Sequence, residues 1–160
     1  MALMTTKEML LKAQREGYAV GAYNAENMGM VQAVIEAAEE MKAPVIIQTT
    51  PGTLNYADPE MLYGMCAAAA QKASVPVALH LDHGNSFEMA ARALKAGYTS
   101  VMIDGSKEEF EANVTLSRRV AEMAHALGIP VEGELGTVGG KEDNHGVKDS
   151  EKAYTNPEQA

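Results

Sequence analysis

The residues best suited to chemistry form the stretch Val-Ala-Leu-His-Leu-Asp-His-Gly-Asn at residues 77–85, where an apolar run ends in two histidines and an aspartate. His80 and Asp82 have the same parity and face the same side of a strand, while His83 falls where the strand gives way to Gly84. A carboxylate beside an imidazole at a strand tip binds a metal, moves a proton, or does both. We expect His80 to be a hydrogen-bonded core histidine. Asp82 alone is also explained as the cap of the next helix, but burying the Asp82–His83 pair without partners is costly.

The composition limits the partners that the chain can bind. Its 160 residues suffice for one well-buried domain. With 22 acidic and 13 basic residues, the net charge of -9 argues against nucleic acid or an anionic membrane as the main partner. The single cysteine, Cys66, excludes an internal disulfide and is expected to be a small buried helix residue. Without a targeting signal or a long apolar run, the protein is predicted to be cytoplasmic.

Five strands are predicted to alternate with helices along the chain. The strands are expected at residues 18–23, 45–49, 76–83, 100–103 and 131–135. Cap and stop residues predict helices from Thr5 to Gly17, from Met30 to just before Pro44, at residues 58–73 and 85–97, and from Ser106 to Gly128. Residues 50–53 are predicted to be a turn, and residues 136–154 a polar loop.

The strands are continuous apolar runs, which is typical of a parallel α/β sheet covered on both faces. A repeat of roughly 23 to 32 residues suits a doubly wound sheet or a (β/α)8 barrel, which takes about 250 residues. Thr155-Asn-Pro-Glu158 has the pattern of a helix start, yet the sequence stops at Ala160. We therefore predict the first five βα units of a TIM barrel, with residues 1–160 as the N-terminal portion of one barrel domain.

Polar groups collect at the predicted carboxyl ends of the strands, where parallel α/β proteins place their functional residues. These candidates are Asn24, Asn27, residues 48–53, Asp82, His83, Asp104, Ser106, Glu132, Glu134 and the loop to Asn144. Each has a simpler explanation: Asn24 as an Asx turn, Asp104 as part of a helix cap, and Glu142 as a solvated charge. Their placement on one side of the sheet favours a functional site. Gly139 and Gly140 beside Glu142 suggest a hinge for a closing loop.

Two motifs among these residues, His80-Leu-Asp-His-Gly84 and the stretch Glu132-Gly-Glu-Leu-Gly-Thr-Val-Gly-Gly-Lys-Glu-Asp143, give the sequence a family resemblance. The chain resembles the class II, metal-dependent fructose- and tagatose-bisphosphate aldolases. Further matching stretches are Gly17-Tyr-Ala-Val20, Tyr23-Asn24, Ala43-Pro-Val-Ile46 and Ser100-Val-Met-Ile-Asp104. Thr50-Pro-Gly-Thr53 resembles the tagatose branch.

The resemblance implies a (β/α)8 barrel that reversibly cleaves a ketose bisphosphate to dihydroxyacetone phosphate and glyceraldehyde 3-phosphate. It implies that His83 is one ligand of a catalytic zinc, which polarises the substrate ketone. Asp82 would exchange a proton with the C4 hydroxyl, and Glu142 with the dihydroxyacetone phosphate carbon. Asp104 and Glu134 match carboxylates near an alternative or second metal position.

The resemblance also implies that Asn24 contacts the sugar bisphosphate substrate and that Thr50 approaches a phosphate. The other zinc histidines, the phosphate loops and three further strands would follow position 160, so we expect the 160-residue chain alone to be inactive. The full-length protein is expected to be a homo-oligomer. Two alternatives stay open: a noncatalytic aldolase-like barrel subunit or interaction module, and another metal-dependent lyase or isomerase.

Overall fold

Five parallel strands form the frame of the protein. The computed structural model describes residues 2–136, 140–142, 145–147 and 155–160, of which 140–142 and 145–147 are described by their backbone. The strands are β1 (Gly21–Asn24), β2 (Val45–Thr49), β3 (Val77–Gly84), β4 (Ser100–Ile103) and β5 (Val131–Gly133), and they lie side by side in chain order. A doubly wound sheet reverses its strand order at a switch point, whereas a barrel wall does not. The sequential order therefore confirms the predicted barrel-type α/β fold.

The helices of the described residues are α1 (Thr6–Glu16), α2 (Met28–Met41), α3 (Pro51–Tyr56), α4 (Pro59–Lys72), α5 (Phe87–Ala96) and α6 (Phe110–Ala126). All of them except α1 pack against one face of the sheet. The main apolar core joins α2 to α6 with strand residues of one parity, including Ile47, Leu79 and Val101. The opposite parity of the strands faces the interior of a barrel wall, which helix α1 covers at the amino end of the strands.

Helix α1 differs from the others in covering the interior face, at the end where the strands begin. Met9 is buried there with Ile46 and Ala78. The Thr6 hydroxyl donates to Ser100 Oγ at 3.0 Å, and the Met4 amide donates to the Val77 carbonyl at 3.0 Å. Because α1 occupies the amino end, the interior is accessible from the carboxyl ends of the strands.

Several element boundaries differ from the predicted ones, and at three helices the difference lies in the cap residue. Residues 50–53 are not an isolated turn, since Thr50 is the N-cap of α3. Helix α6 begins at Phe110 with Glu109 as its N-cap, and Ser106 bonds to Asp104 instead of capping it. Ser86 caps α5 by accepting from the Met89 amide at 3.3 Å. Strands β1 and β5 are shorter than predicted.

A two-stranded antiparallel sheet follows the parallel one. It consists of β6 (Gly140–Glu142) and β7 (His145–Val147), with Glu142 and His145 as Cα partners. The predicted polar loop at residues 136–154 is therefore wrong over these two segments. Apart from Gly136, the rest of that predicted loop, including Gly139 of the suggested hinge, lies outside the described residues. Residues 157–159, at the predicted helix start, form a turn.

Cys66 lies in α4 and is buried, as predicted. Burial raises the pKa of its thiol to about 12, so the side chain is a neutral thiol at physiological pH. None of the helices in the described part of the chain combines the length and apolar character needed to cross a membrane.

Candidate active site

The carboxyl end of β3 contains a local irregularity that redirects His83. Strict strand alternation would place Asp82 and His83 on opposite faces. Instead, the register with β4 shifts between Leu81 and Gly84, and His83 adopts a left-handed backbone conformation with φ of 49°. Such a conformation costs of order 1–3 kcal/mol in a non-glycine residue and is concentrated at functional sites. The irregularity lets two consecutive side chains serve the same end of the sheet.

Gly84 makes this irregularity sterically feasible. A Cβ atom at Gly84 would lie 2.5 Å from the carbonyl oxygen of Met102 on β4. The close approach also allows the Asp104 amide to donate to the Gly84 carbonyl at 2.8 Å. This bond holds the residue after β4 beside the end of β3. The glycine of the Asp-His-Gly motif is thus required by the backbone contact that brings Asp104 to His83.

His83, Asp104 and Glu134 come together at this end of the sheet. His83 Nδ1 lies 3.3 Å from Asp104 Oδ2 and 3.4 Å from Glu134 Oε2. One ligand atom from each residue lies within 4.8 Å of the other two. All three side chains are partly buried, so they are accessible to a small ion.

The donor set fits a divalent metal. Zinc bonds imidazole nitrogen and carboxylate oxygen at about 2.0–2.2 Å, so its tetrahedral donors stand roughly 3.3–3.5 Å apart. The two measured separations from His83 Nδ1, 3.3 and 3.4 Å, match this spacing and exceed that of a good N–H···O bond, about 2.9 Å. A catalytic zinc usually has three protein ligands and an open position. One imidazole and two carboxylates have the chemistry to hold such an ion.

The charges of the three residues are mutually dependent. Partial burial lowers the pKa of His83, but the hydrogen bond with Asp104 and the charges of Asp82, Glu134 and Asp104 raise it above the usual value. Burial raises the pKa of Asp104, but hydrogen bonds from Ser106 and His83 lower it below the usual value. A metal competes with the proton for the His83 nitrogen, so binding weakens as the pH falls.

Two further residues orient the carboxylate-bearing segments. The Ser106 amide and hydroxyl donate to Asp104 Oδ1 at 3.0 and 2.7 Å, which leaves Oδ2 facing His83. Asn113 is buried on α6, and its Nδ2 donates to the Glu134 carbonyl at 2.8 Å. Sequence reasoning missed the role of Asn113. The signal for it is a polar side chain on the face of α6 that packs inward.

Asp82 lies beside the three-residue cluster rather than within it. Gln48 Nε2 on β2 donates to Asp82 Oδ2 at 2.6 Å, which orients the carboxylate. The negative charge of Asp82 affects the pKa of His83 and of Glu132. A carboxylate held by an amide next to a metal-competent cluster is suited to exchange a proton with a bound molecule.

His80 is a buried, hydrogen-bonded histidine, as predicted. Its side chain is 5% exposed, its Nδ1 lies 2.8 Å from Ser100 Oγ, and its Nε2 lies 3.5 Å from Glu132 Oε2. Burial and, secondarily, the charge of His83 lower the pKa of His80 to about 4. His80 is therefore a neutral imidazole at physiological pH, and its contact with Glu132 is not an ion pair.

The lowered pKa of His80 predicts an acid-dependent loss of stability. The imidazole takes up a proton near pH 6.5 when unfolded but only near pH 4 when folded, so the unfolded state binds more protons in this window. Stability is fully present above pH 6.5, and we expect the free energy of unfolding to fall by ~3 kcal/mol as the pH approaches 4. Urea denaturation across this range measures how the free energy of unfolding depends on pH.

His80→Gln should weaken this pH dependence, while His125→Gln, at an exposed position on α6, should not. Equal pH dependence in wild type and His80→Gln would contradict the assignment.

The remaining predicted site residues lie around this cluster. Asn24 is exposed at the end of β1 and is the Cα partner of Gln48. Thr50 is buried, and its hydroxyl lies 3.4 Å from that of Thr53. The backbone of Glu142 lies in β6. The structure thus brings His83, Asp104 and Glu134 together and places Asp82 beside them. The roles predicted for these four residues, and for Asn24, Thr50 and Glu142, stay predictions.

Comparison with known proteins relates both the sequence and the fold to one family. Residues 4–160 match the family described as class-II fructose-bisphosphate aldolase. A fructose-bisphosphate aldolase from Thermus caldophilus is 51% identical over 158 residues, which cover 99% of this chain and 52% of that protein. The D-tagatose-1,6-bisphosphate aldolase subunit GatY from Klebsiella oxytoca is 45% identical, over 99% of this chain and 56% of that protein. The chain therefore spans about half the length of the curated relatives it matches.

Solved structures share the fold. The YdjI aldolase from Escherichia coli K12 superposes with a TM-score of 0.84 at 39% sequence identity, over 98% of this chain and 58% of that chain. A putative fructose-1,6-bisphosphate aldolase from Coccidioides immitis superposes with a TM-score of 0.85 at 35% identity, over 96% of this chain and 54% of that chain.

Proposed function

Because this chain belongs to the class II fructose-bisphosphate aldolase family, we propose that it forms the N-terminal half of a (β/α)8 enzyme that reversibly cleaves a ketose bisphosphate. The products are dihydroxyacetone phosphate and glyceraldehyde 3-phosphate. The observation that carries the proposal is the placement of Asp82, oriented by Gln48, beside the His83–Asp104–Glu134 cluster. Proton exchange and metal binding are the two chemical tasks of this reaction, and both have residues at one end of the sheet.

The metal of the proposed enzyme is zinc, with His83 as one ligand and Asp104 and Glu134 as carboxylate ligands at the same or a second position. When bound, the ion acts as a Lewis acid that polarises the substrate ketone. The protein residues supply the rest of the site. Ser106 and Asn113 hold the two carboxylate-bearing segments, and such supporting contacts commonly change metal affinity by about 10–100-fold when removed.

Asp82 carries the proton of the bond-breaking step. In the cleavage direction its carboxylate accepts the proton of the C4 hydroxyl as the C3–C4 bond breaks, which leaves the aldehyde of glyceraldehyde 3-phosphate. The C3 carbon then takes up a proton to give dihydroxyacetone phosphate, a task we assign to Glu142. Asn24 and Thr50 are proposed to contact the substrate and one of its phosphates.

A second half of the barrel would supply what this chain does not. Among the described residues, β1 and β5 each pair with a single strand, so both edges of the sheet are open for further strands. Barrels bind phosphate mainly at the loops after strands seven and eight. The net charge of -9 is consistent with phosphate binding mainly by the other half of the barrel rather than by this chain.

The proposal keeps both fructose 1,6-bisphosphate and tagatose 1,6-bisphosphate as substrates, because relatives with both names match the chain at 51% and 45% identity. We further propose a cytoplasmic homo-oligomer. The alternative of a noncatalytic subunit accounts less well for a carboxylate held at 2.6 Å by Gln48 next to three metal-competent side chains.

The test is a cleavage assay of the protein made from the complete coding sequence. We expect it to release both triose phosphates from at least one of the two ketose bisphosphates, with turnover measured by coupled oxidation of NADH. The 160-residue chain, assayed at the same concentration, is the control and should show no cleavage because its metal and phosphate sites are incomplete. Cleavage of neither sugar by the zinc-loaded complete protein would overturn the proposal and favour the noncatalytic subunit.

A further inference from the structure

A row of four polar side chains runs through the interior of the barrel wall, three of them joined by hydrogen bonds and the fourth, Glu132, within 3.5 Å of the third. The Thr6 hydroxyl donates to Ser100 Oγ at 3.0 Å, and Ser100 Oγ lies 2.8 Å from His80 Nδ1. His80 Nε2 then lies 3.5 Å from Glu132 Oε2. The row begins on helix α1, at the amino end of the strands, and reaches the carboxyl end at Glu132.

The order of donors favours one of the two positions of the proton on His80. Ser100 Oγ accepts from Thr6, so its own hydrogen is available for His80 Nδ1. With Nδ1 as the acceptor in a neutral imidazole, the proton resides on Nε2 and is directed at the Glu132 carboxylate. The distance of 3.5 Å is at the outer limit of a hydrogen bond, and active-site bonds are often long before a ligand binds.

This polar row replaces the usual filling of a barrel. Barrel interiors are filled mainly by bulky branched side chains such as Val, Ile and Leu. Here Thr6, His80 and Ser100 are all buried, at 5%, 4% and 3% exposure. Buried polar groups need partners, and an apolar core of similar volume is often as stable. A row whose last member is a carboxylate at the carboxyl end of the sheet therefore suggests a role besides stability.

The position of Glu132 allows its carboxylate to contact both His80 and a molecule bound at the carboxyl end of the sheet. Its Cα partner on β4 is Met102, and its side chain is 62% exposed at the end of the sheet that contains Asp82. A carboxylate oxygen not facing His80 is available to accept a hydrogen bond from a hydroxyl group.

We propose that His80 is a positioning residue that orients Glu132, and that Glu132 accepts a hydrogen bond from a hydroxyl of the polyol substrate beside Asp82. This inference rests on the proposed aldolase function. It adds one substrate-binding residue and one positioning residue to the site. Neither residue belongs to the His83–Asp104–Glu134 cluster.

The test uses two substitutions that separate the two nitrogens of His80. The amide nitrogen of glutamine approximates the position of Nε2, so His80→Gln keeps a donor for Glu132. Asparagine is shorter and approximates Nδ1, so His80→Asn keeps the Ser100 contact and loses the donor to Glu132. In the complete, zinc-loaded protein we expect kcat/KM to fall roughly 10- to 100-fold in His80→Asn and less than about 3-fold in His80→Gln. Zinc content per subunit and the thermal midpoint are measured on each variant.

A double-mutant cycle with Glu132→Gln completes the test. If His80 acts through Glu132, Glu132→Gln lowers kcat/KM by a similar factor, and adding His80→Asn causes little further loss. Three outcomes would each overturn the proposal. The first is an equal fall in kcat/KM for His80→Gln and His80→Asn, and the second is an additive fall in the double variant. The third is a fall in kcat/KM that parallels a loss of bound zinc. If the wild-type protein cleaves neither ketose bisphosphate, the proposed aldolase function is overturned as well. If the wild-type protein is active and any of these three outcomes is found, only the His80 proposal is overturned.

Discussion

Asp82→Asn is expected to lower kcat for ketose-bisphosphate cleavage by roughly 10²–10⁴-fold in the complete protein, the range typical for loss of a general acid–base group. Asparagine has nearly the same shape as aspartate but cannot accept the C4 hydroxyl proton. The measurement is steady-state kinetics on both ketose bisphosphates, together with zinc content. We expect the zinc content to be unchanged, because Asp82 lies beside the His83–Asp104–Glu134 cluster and is not one of its three members.

The matched control for this substitution is Glu8→Gln. It also neutralises one carboxylate, but Glu8 is exposed on helix α1, at the opposite end of the strands. Its kinetics should equal those of wild type within a factor of about two, since surface substitutions away from special features have small effects. A kcat for Asp82→Asn within about tenfold of wild type, well short of the loss typical for such a group, would show that another group exchanges the proton and would remove Asp82 from the mechanism.

Metal removal is expected to abolish cleavage, and His83→Ala is expected to prevent its recovery. Treatment of the complete protein with EDTA should eliminate turnover, and stoichiometric zinc should restore it. His83→Ala removes the imidazole that this chain contributes to the cluster, and zinc prefers nitrogen and sulfur ligands to carboxylates. Zinc affinity, measured by competition with a chromophoric chelator, should fall by at least about 100-fold, beyond the effect of removing a supporting residue.

His125→Ala provides the control, because it removes an exposed histidine from the last turn of α6 and leaves the cluster intact. It should bind zinc and respond to EDTA like wild type. Cleavage that survives complete chelation would contradict the metal-dependent mechanism. Retention of stoichiometric zinc by His83→Ala, with unchanged affinity, would instead contradict the assignment of His83 as a ligand while leaving metal dependence in place.

The positions of the strands and the end of the sheet that contains the site follow from sequence. Strand β2 and strand β4 occupy the predicted residues because short apolar runs bounded by proline, glycine and cap residues are local signals. The grouping of His83, Asp104 and Glu134 is predictable because the carboxyl ends of parallel strands lie at one edge. These features depend on residue type and spacing alone.

Other features depend on which of several possible partners a polar group takes, and the sequence does not reveal that choice. The Ser106-Lys-Glu-Glu109 spacing predicts a helix cap, yet Ser106 donates to Asp104, two residues before it, and this local bond competes with the cap. The predicted polar loop contains β6 and β7, which pair antiparallel with Glu142 and His145 as Cα partners. Local propensity is a weak guide wherever a polar group has an alternative hydrogen-bond partner.

Residue types and spacing are enough to predict that Asp82 and His83 end a buried strand and that Gly84 follows them. Contacts between neighbouring strands, which the sequence does not show, bring both side chains to the same end of the sheet. The Met102 carbonyl approaches where a Cβ at Gly84 would stand, and His83 turns into the left-handed region. Likewise, His80 is predictable as a buried histidine, but its row of contacts from Thr6 to Glu132 joins four separate elements. A local pattern specifies which side chains a strand presents, whereas the register of neighbouring strands determines what those side chains meet.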